Sequence, residues 1–263
     1  MQYLTGWRIC ESRRVMFETV SFLQIVAVTS TAFITSTITS LIGAGGGTIL
    51  LLVMLYMLPA PIVIPVHGFI QLISNTTRVS LMWRYMQWPL IFRFISLMPI
   101  GVYLGLQLYS HLEPKGIQLI IATAILLSLF MRSPKSLTET KVPKFSYYFI
   151  GLFVGFGNMI VGVLSPLLAA ILRLEKLSKE QMVGTLGFFG FIGNILKIAG
   201  FSAIGFAFAD YLILIIPACA ATIFGSILGK LLLTKSSNQF FNRAFKATIA
   251  LLSCKLIWDV IFG

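Results

Sequence analysis

Long apolar stretches separated by short polar ones run the length of this chain. The stretches 20–42, 88–110 and 208–233 each reach the roughly 20 residues that a helix needs to cross a hydrocarbon core. In the first half the apolar segments are 20–42, 48–65, 66–83, 88–110 and 116–131, the second and third being short or polar. The second half follows the same plan. The tract 132–144, RSPKSLTETKVPK, separates the halves with two prolines and the cations Arg132, Lys135, Lys141 and Lys144, and reads as a basic linker loop. The pattern predicts an all-α polytopic membrane protein in four parts. These are a basic cytoplasmic N-terminal segment (1–19), a first membrane repeat (20–131), the linker (132–144) and a second membrane repeat (145–263).

Composition agrees with a membrane solvent. Of 263 residues, 57% are hydrophobic and 11% charged, too few polar residues to cover the outside of a soluble fold. The excess of 20 Lys and Arg over 8 Asp and Glu suits loops obeying the positive-inside rule. By the same rule Arg8, Arg13 and Arg14 mark a retained first helix with its basic flank in the cytoplasm. Every acid sits in a loop or near a segment end, which argues against a cation pathway or a carboxylate proton relay. Cys10, Cys219 and Cys254 have no metal-ligand spacing and read as small packing residues. His67 and His111, the only histidines, have no acidic pair beside them, so the sequence offers no catalytic residue, metal site or cofactor.

The two halves are related. A gapless shift of 119 residues lays Gly43 on Gly162, Gly68 on Gly187, Phe69 on Phe188, Ile73 on Ile192, Asn75 on Asn194 and Arg78 on Lys197. Pro99, Gly101 and Gly105 are echoed by Pro217, Gly225 and Gly229 after a short insertion, in spacings that let helix backbones approach closely. An odd number of crossings per half would make the copies an inverted repeat; a re-entrant segment is the other possibility.

The glycine cluster LIGAGGGTIL (41–50) interrupts the first helix. Irregular backbone at membrane depth is tolerated where it is buried in protein or lines a watery cavity. Gly45, Gly46 and Gly47 would leave room for a ligand at the N-terminus of the next helix, where free N–H groups and the helix dipole favour an anion. Gly162 opens an equivalent break, GVLSP, in which Pro166 takes the place of Gly47 and suits a first helical turn. A plain interhelical turn is the simpler alternative.

The G-x-GGG break after a first helix, the polar S-N-x-x-R segment at 74–78 and a diverged second copy resemble the TauE/SafE family, also called the four-toluene-sulfonate-uptake permease family. The resemblance runs through the chain from about residue 20. It implies a bacterial inner-membrane permease for sulfite, sulfoacetate or a related organosulfur anion. Two features depart from the family: Thr48 to Tyr56 lacks the usual proline, and Leu164 and Ser165 replace glycines of the second copy.

On a helix His67, Gln71, Asn75 and Arg78 share one face, and a polar stripe in a membrane helix faces protein or water. In the second copy Asn194 and Lys197 persist, with Gly187, Gly190 and Gly193 opposite. The candidate substrate-binding set is Gly45, Gly46, Gly47, His67, Gln71, Asn75, Arg78, Gly162, Asn194 and Lys197. Together these features imply a secondary transporter moving a small anion, sulfite or an organosulfonate, across the inner membrane. The partners expected are that anion and the lipid bilayer, with no nucleic acid, and a homo-oligomer is compatible with the sequence. An anion channel, or a membrane subunit of a larger complex, is the alternative; an intramembrane enzyme is disfavoured by the lack of catalytic groups.

Overall fold

The computed structural model describes residues 20–42, 45–130, 142–233 and 239–262. The segment 1–19 with Cys10, the Gly43 and Ala44 pair, linker residues 131–141, residues 234–238 and residue 263 lie outside the described residues. Among the described residues there are ten α-helices: α1 (Phe22–Ile42), α2 (Gly46–Met57), α3 (Ala60–Met82), α4 (Trp88–Tyr109), α5 (Pro114–Phe130), α6 (Ser146–Ile160), α7 (Ser165–Leu172), α8 (Lys179–Ala203), α9 (Leu212–Leu233) and α10 (Gln239–Phe262). The stretches Phe22–Leu41, Trp88–Tyr109, Lys179–Ala203 and Phe208–Leu232 are long and apolar enough to cross a membrane. At 23 residues α3 is about 34 Å long and matches them in length, though its polar stripe lowers its hydropathy. The 12-residue α2 and the 8-residue α7 are about 18 and 12 Å long, too short for a hydrocarbon core of about 30 Å.

One boundary differs from the sequence pattern. The second and third segments part at Leu58 and Pro59, before the expected point at Pro65, which lies inside α3. Leu58 is extended, as residues preceding proline prefer, and Pro59 and Pro61 both sit where a helix start needs no N–H donor. Elsewhere the starts and stops follow local chemistry. Ser178 and Gln181 form a reciprocal capping box at the head of α8.

The helices of the two halves are exchanged. Glycines on α4 and α6 bring those backbones into contact: a Cβ on Gly101 would strike the Leu152 carbonyl, one on Gly105 that of Phe156, one on Gly151 that of Phe94 and one on Gly155 that of Met98. The same contact recurs between α9 and α1, where Gly225 faces the Phe33 carbonyl and Gly229 that of Thr37. Phe33 and Thr37 are the 119-residue counterparts of Leu152 and Phe156. The first helix of each half thus packs, in parallel, on the fourth helix of the other.

The third helices, α3 and α8, meet at the centre and run in opposite directions. Gly68 lies on Lys197, Gly190 on Asn75, Gly187 on Arg78 and Gly184 on Met82. Ser74 Oγ lies 3.1 Å from Ser36 Oγ and 3.5 Å from Ser226 Oγ, joining α1, α3 and α9.

These contacts fix the two ends of the bundle. Gln24 donates to the Met57 carbonyl (2.9 Å), so the start of α1, the end of α2 and the start of α3 share one end. The end of α3, the starts of α4 and α6 and the end of α9 share the other, where Lys230 donates to the Leu81 carbonyl (3.1 Å). Val20 and Val142 therefore lie at opposite ends.

Alanine substitution separates packing glycines from incidental ones. Gly151→Ala forces a methyl into the Phe94 carbonyl and should cost about 1–3 kcal/mol of stability. Gly116→Ala meets nothing within 4 Å and should be neutral or stabilising by up to about 1 kcal/mol. Unfolding of the purified protein in detergent reads both.

Candidate functional site

The two helix breaks face one another across the centre of the bundle. Gly45, at φ 103°, turns the chain into α2, and Gly162, at φ 80°, turns it toward α7; both are left-handed conformations that favour glycine. The Gly162 carbonyl lies outside both flanking helices, whereas the Gly47 carbonyl sits in the first turn of α2, and a basic side chain from the third helix of the same half reaches each. His67 Nε2 donates to the Gly47 carbonyl (2.8 Å), and Lys197 Nζ donates to the Gly162 carbonyl (2.6 Å). The two donors are not counterparts under the 119-residue shift.

Between the breaks lies a cavity of about 70 Å³. At roughly 10–15 Å³ per water it would hold on the order of five water molecules. Gly47, His67, Gln71, Asn75 and Arg78 line it from one half, and Gly162, Ser165 and Asn194 from the other, with Met98 and Phe189 as apolar wall. The stripe His67, Gln71, Asn75 and Arg78 thus faces one space, as its spacing implies. Both helices with interrupted backbones, α2 and α7, begin at this wall, so orphan N–H groups and the positive ends of two helices point toward it.

Three residues of the candidate set are not in the wall. Gly45 and Gly46 form the turn itself: a Cβ on Gly46 would strike the Thr35 carbonyl and the Thr39 hydroxyl, so Gly46 is small to let α1 and α2 cross. Lys197 is buried, but its chain runs past Gly68 to the Gly162 carbonyl and its ammonium is spent there. Three polar wall residues, Thr39, Asn158 and Ser165, escaped sequence reasoning. Thr39 and Asn158 lie 119 positions apart, in the first helices of the two halves. The repeat register together with a polar residue in an apolar run would have found them.

Electrostatically the cavity is one-sided. Arg78 is 4% exposed; its Nη2 donates to the Asn75 side-chain carbonyl, while its Nε has no partner among the described residues. Among the described residues no carboxylate lines the cavity, and the two nearest buried cations, Arg78 and Lys197, make no ion pair. Taking a cation out of water costs several kcal/mol unless a counter-charge is present. Such a chamber suits an anion.

A family model described as "Sulfite exporter TauE/SafE" matches residues 28–256. The chain belongs to the TauE/SafE family. Neither the curated proteins nor the solved structures give a significant match. As a TauE/SafE protein with several membrane-length helices, it is an integral multi-pass membrane protein of a transporter family.

In this TauE/SafE chain the second break disfavours a side chain at Gly162. Gly162→Ala forces a left-handed alanine, costing about 1–2 kcal/mol, and pushes its methyl toward Leu51. The variant should unfold at lower temperature than the parent. A stability unchanged within error would show that the turn relaxes freely.

Proposed function

We propose that this protein is a secondary transporter of a small oxyanion, sulfite or a close sulfur-containing relative, across the bacterial inner membrane. The observation that carries the reading is the Arg78 guanidinium, buried in the wall of a small polar chamber with no carboxylate partner among the described residues. Size favours an inorganic anion over an aryl sulfonate, because sites for drug-sized molecules run to roughly 300–1,000 Å³. The polar wall residues Thr39, His67, Gln71, Asn75, Arg78, Asn158 and Asn194 are each at most 9% exposed, which fits an occluded carrier site better than an open pore.

The binding set we propose is Gly47, His67, Gln71, Asn75, Arg78, Gly162 and Asn194, joined by Thr39, Asn158 and Ser165. Arg78 supplies the charge, and the amides and helix N-termini supply neutral donors that replace the anion's water. Lys197 acts from behind, holding the second break in shape. The two repeats are read as inverted: counterpart helices α3 and α8 meet with opposite direction, as a two-fold axis in the membrane plane requires, whereas an axis along the membrane normal would make them parallel.

Orientation follows from charge. Of the described side chains, Arg84, Arg93, Lys144, Arg173, Lys176, Lys179 and Lys230 stand at the end that carries the start of α4, with Glu175 and Glu180. Lys115 and Lys255 stand at the other end, with Glu113, Asp210 and Asp259. Seven cations against two acids, compared with two against three, assign the first end to the cytoplasm. Val20 then lies on the periplasmic side and Val142 on the cytoplasmic side.

Two experiments test these readings. Arg78→Gln should weaken sulfite binding at least tenfold, about 1.4 kcal/mol, measured by ligand-induced thermal stabilisation, while Arg84→Gln at the exposed end of α3 changes it little. Equal small effects would sink the anion site. For orientation, single cysteines at Lys115 and Lys179 in a chain lacking its own cysteines should differ in intact cells. A membrane-impermeant maleimide labels the first and reaches the second only after permeabilisation; the reverse pattern would invert the assignment.

A further inference from the structure

A second hollow lies on the outside of the bundle, between α6 and α7. Phe149, Ile150 and Phe153 of α6 and Leu167 and Ile171 of α7 line it, and its volume is about 300 Å³. By helical spacing these α6 residues lie roughly opposite Gly151 and Gly155, which take the contact with α4, so the groove opens toward lipid. Phe149 and Phe153 are 53% and 58% exposed. From Ser146 to Val154 the groove follows α6 for about 12 Å. That is close to the depth of one leaflet, half of a hydrocarbon core of about 30 Å.

The outer end of the groove is basic. Lys144 stands two residues before Ser146, Arg173 and Lys176 follow Ile171, and all three are exposed. Tyr147 donates to Glu175 (3.0 Å), which holds the start of α6 against the turn that carries Arg173 and Lys176. Among the described residues ion pairing is confined to Lys255 and Asp259, so none of the three cations has an ion-pair partner there. Lys176 adopts a left-handed conformation (φ 54°), so a charged side chain occupies a position where glycine would be easier. The neighbouring tract 131–141 brings no counter-charge, with Arg132, Lys135 and Lys141 against Glu139.

We infer that this groove binds a phospholipid with an anionic headgroup, one acyl chain lying on Phe149, Phe153, Leu167 and Ile171 and the phosphate meeting Lys144, Arg173 and Lys176. Basic clusters at the membrane end of a gap between helices recognise such headgroups. A free phosphate would leave the groove empty, and an uncharged apolar molecule would leave the cations without a counter-charge; the lipid answers both. The site is separate from the central chamber and does not depend on the carrier reading. It does touch the chamber wall. Ser165 and Leu168 of α7 face the chamber, Leu167 and Ile171 face the groove, and Val154 borders both. A bound acyl chain therefore backs the short helix that closes the chamber on this side.

Native mass spectrometry of the intact, delipidated protein in detergent tests this with phosphatidylglycerol and phosphatidylcholine of identical acyl chains. The parent should bind phosphatidylglycerol at least tenfold more tightly. Arg173→Gln combined with Lys176→Gly removes two charges while easing the turn, and should bring the ratio to about one. Arg84→Gln combined with Arg93→Gln removes the same charge around the start of α4, which packs on the other side of α6, and should leave the ratio unchanged. Ile150→Trp fills the groove and should weaken phosphatidylglycerol binding at least fivefold. Equal binding of the two lipids by the parent, or binding of neither, would overturn the inference. A ratio that survives the first pair of substitutions, or falls equally with the second, would show diffuse surface charge and overturn it too. Phosphatidylglycerol binding indifferent to Ile150→Trp would place the lipid outside the groove. The parent comparison needs no variant, so the inference stands or falls on it even where a substituted chain does not fold.

Discussion

Backbone polar groups inside a bilayer have no water to fall back on, and everything unusual in this protein follows from how two interrupted helices meet that requirement. An unsatisfied carbonyl in hydrocarbon costs several kcal/mol. At the second break α8 brings the buried Lys197 nitrogen to the free Gly162 carbonyl, and at the first α3 brings the buried His67 nitrogen to the Gly47 carbonyl in the opening turn of α2. Those two helices must therefore lie against the breaks, which makes them the central pair and puts their polar faces at membrane depth. The surrounding helices then shield the polar centre from lipid. Glycine pairs draw α4 onto α6 and α9 onto α1 until backbones touch, a closeness that dispersion forces reward even where lipid removes the hydrophobic drive between helices.

Satisfying the breaks leaves a residue of unsatisfied groups, and these define the chemistry. Had the centre been built for stability alone, Arg78 would face a carboxylate or be replaced by an apolar side chain, which is often the more stable choice. Instead, among the described residues, its guanidinium is tied to its neighbour Asn75, one turn away on α3. Lys197 shows the contrast. It is equally buried, yet its ammonium is committed to the Gly162 carbonyl. Two cations at matching sequence positions have divided between holding the fold and facing the chamber.

Much of this was legible in the sequence. The long helices α1, α4, α8 and α9 follow directly from apolar length, and the His67-Gln71-Asn75-Arg78 stripe follows from helical spacing. The 119-residue register is visible in the contacts that Phe33 and Leu152, or Thr37 and Phe156, make with glycines of the opposite half. What escaped had physical reasons. Pro65 looked like a boundary, but the prolines at 59 and 61 start α3 earlier, and the helix carries Pro65 in its interior without a bond from that position to the Pro61 carbonyl. Lys197 looked like a partner for Arg78, because spacing fixes the face of a helix and says nothing of where a long flexible side chain ends. Gly45 and Gly46 looked like ligand space, whereas Gly46 is occupied by the crossing of α1.

The exchange of helices constrains how the chamber can open. Its walls come from both halves, so access to one face or the other requires some part of the protein to shift. The halves cannot separate as rigid bodies, because α1 is locked on α9 and α4 on α6 by contacts in which a single added methyl would meet a carbonyl. Interfaces packed that closely move as units or not at all. The parts left with freedom are the short helices α2 and α7 and the central pair they lean on, each anchored at its outer end: α2 through Gln24 to the Met57 carbonyl, and the turn after α7 through Tyr147, which donates to Glu175 (3.0 Å). The first anchor joins two neutral groups, and the second ends on a carboxylate. Closely similar halves are thus tied at their two ends by unlike bonds, and the α7 side is held by the one that depends on a charge.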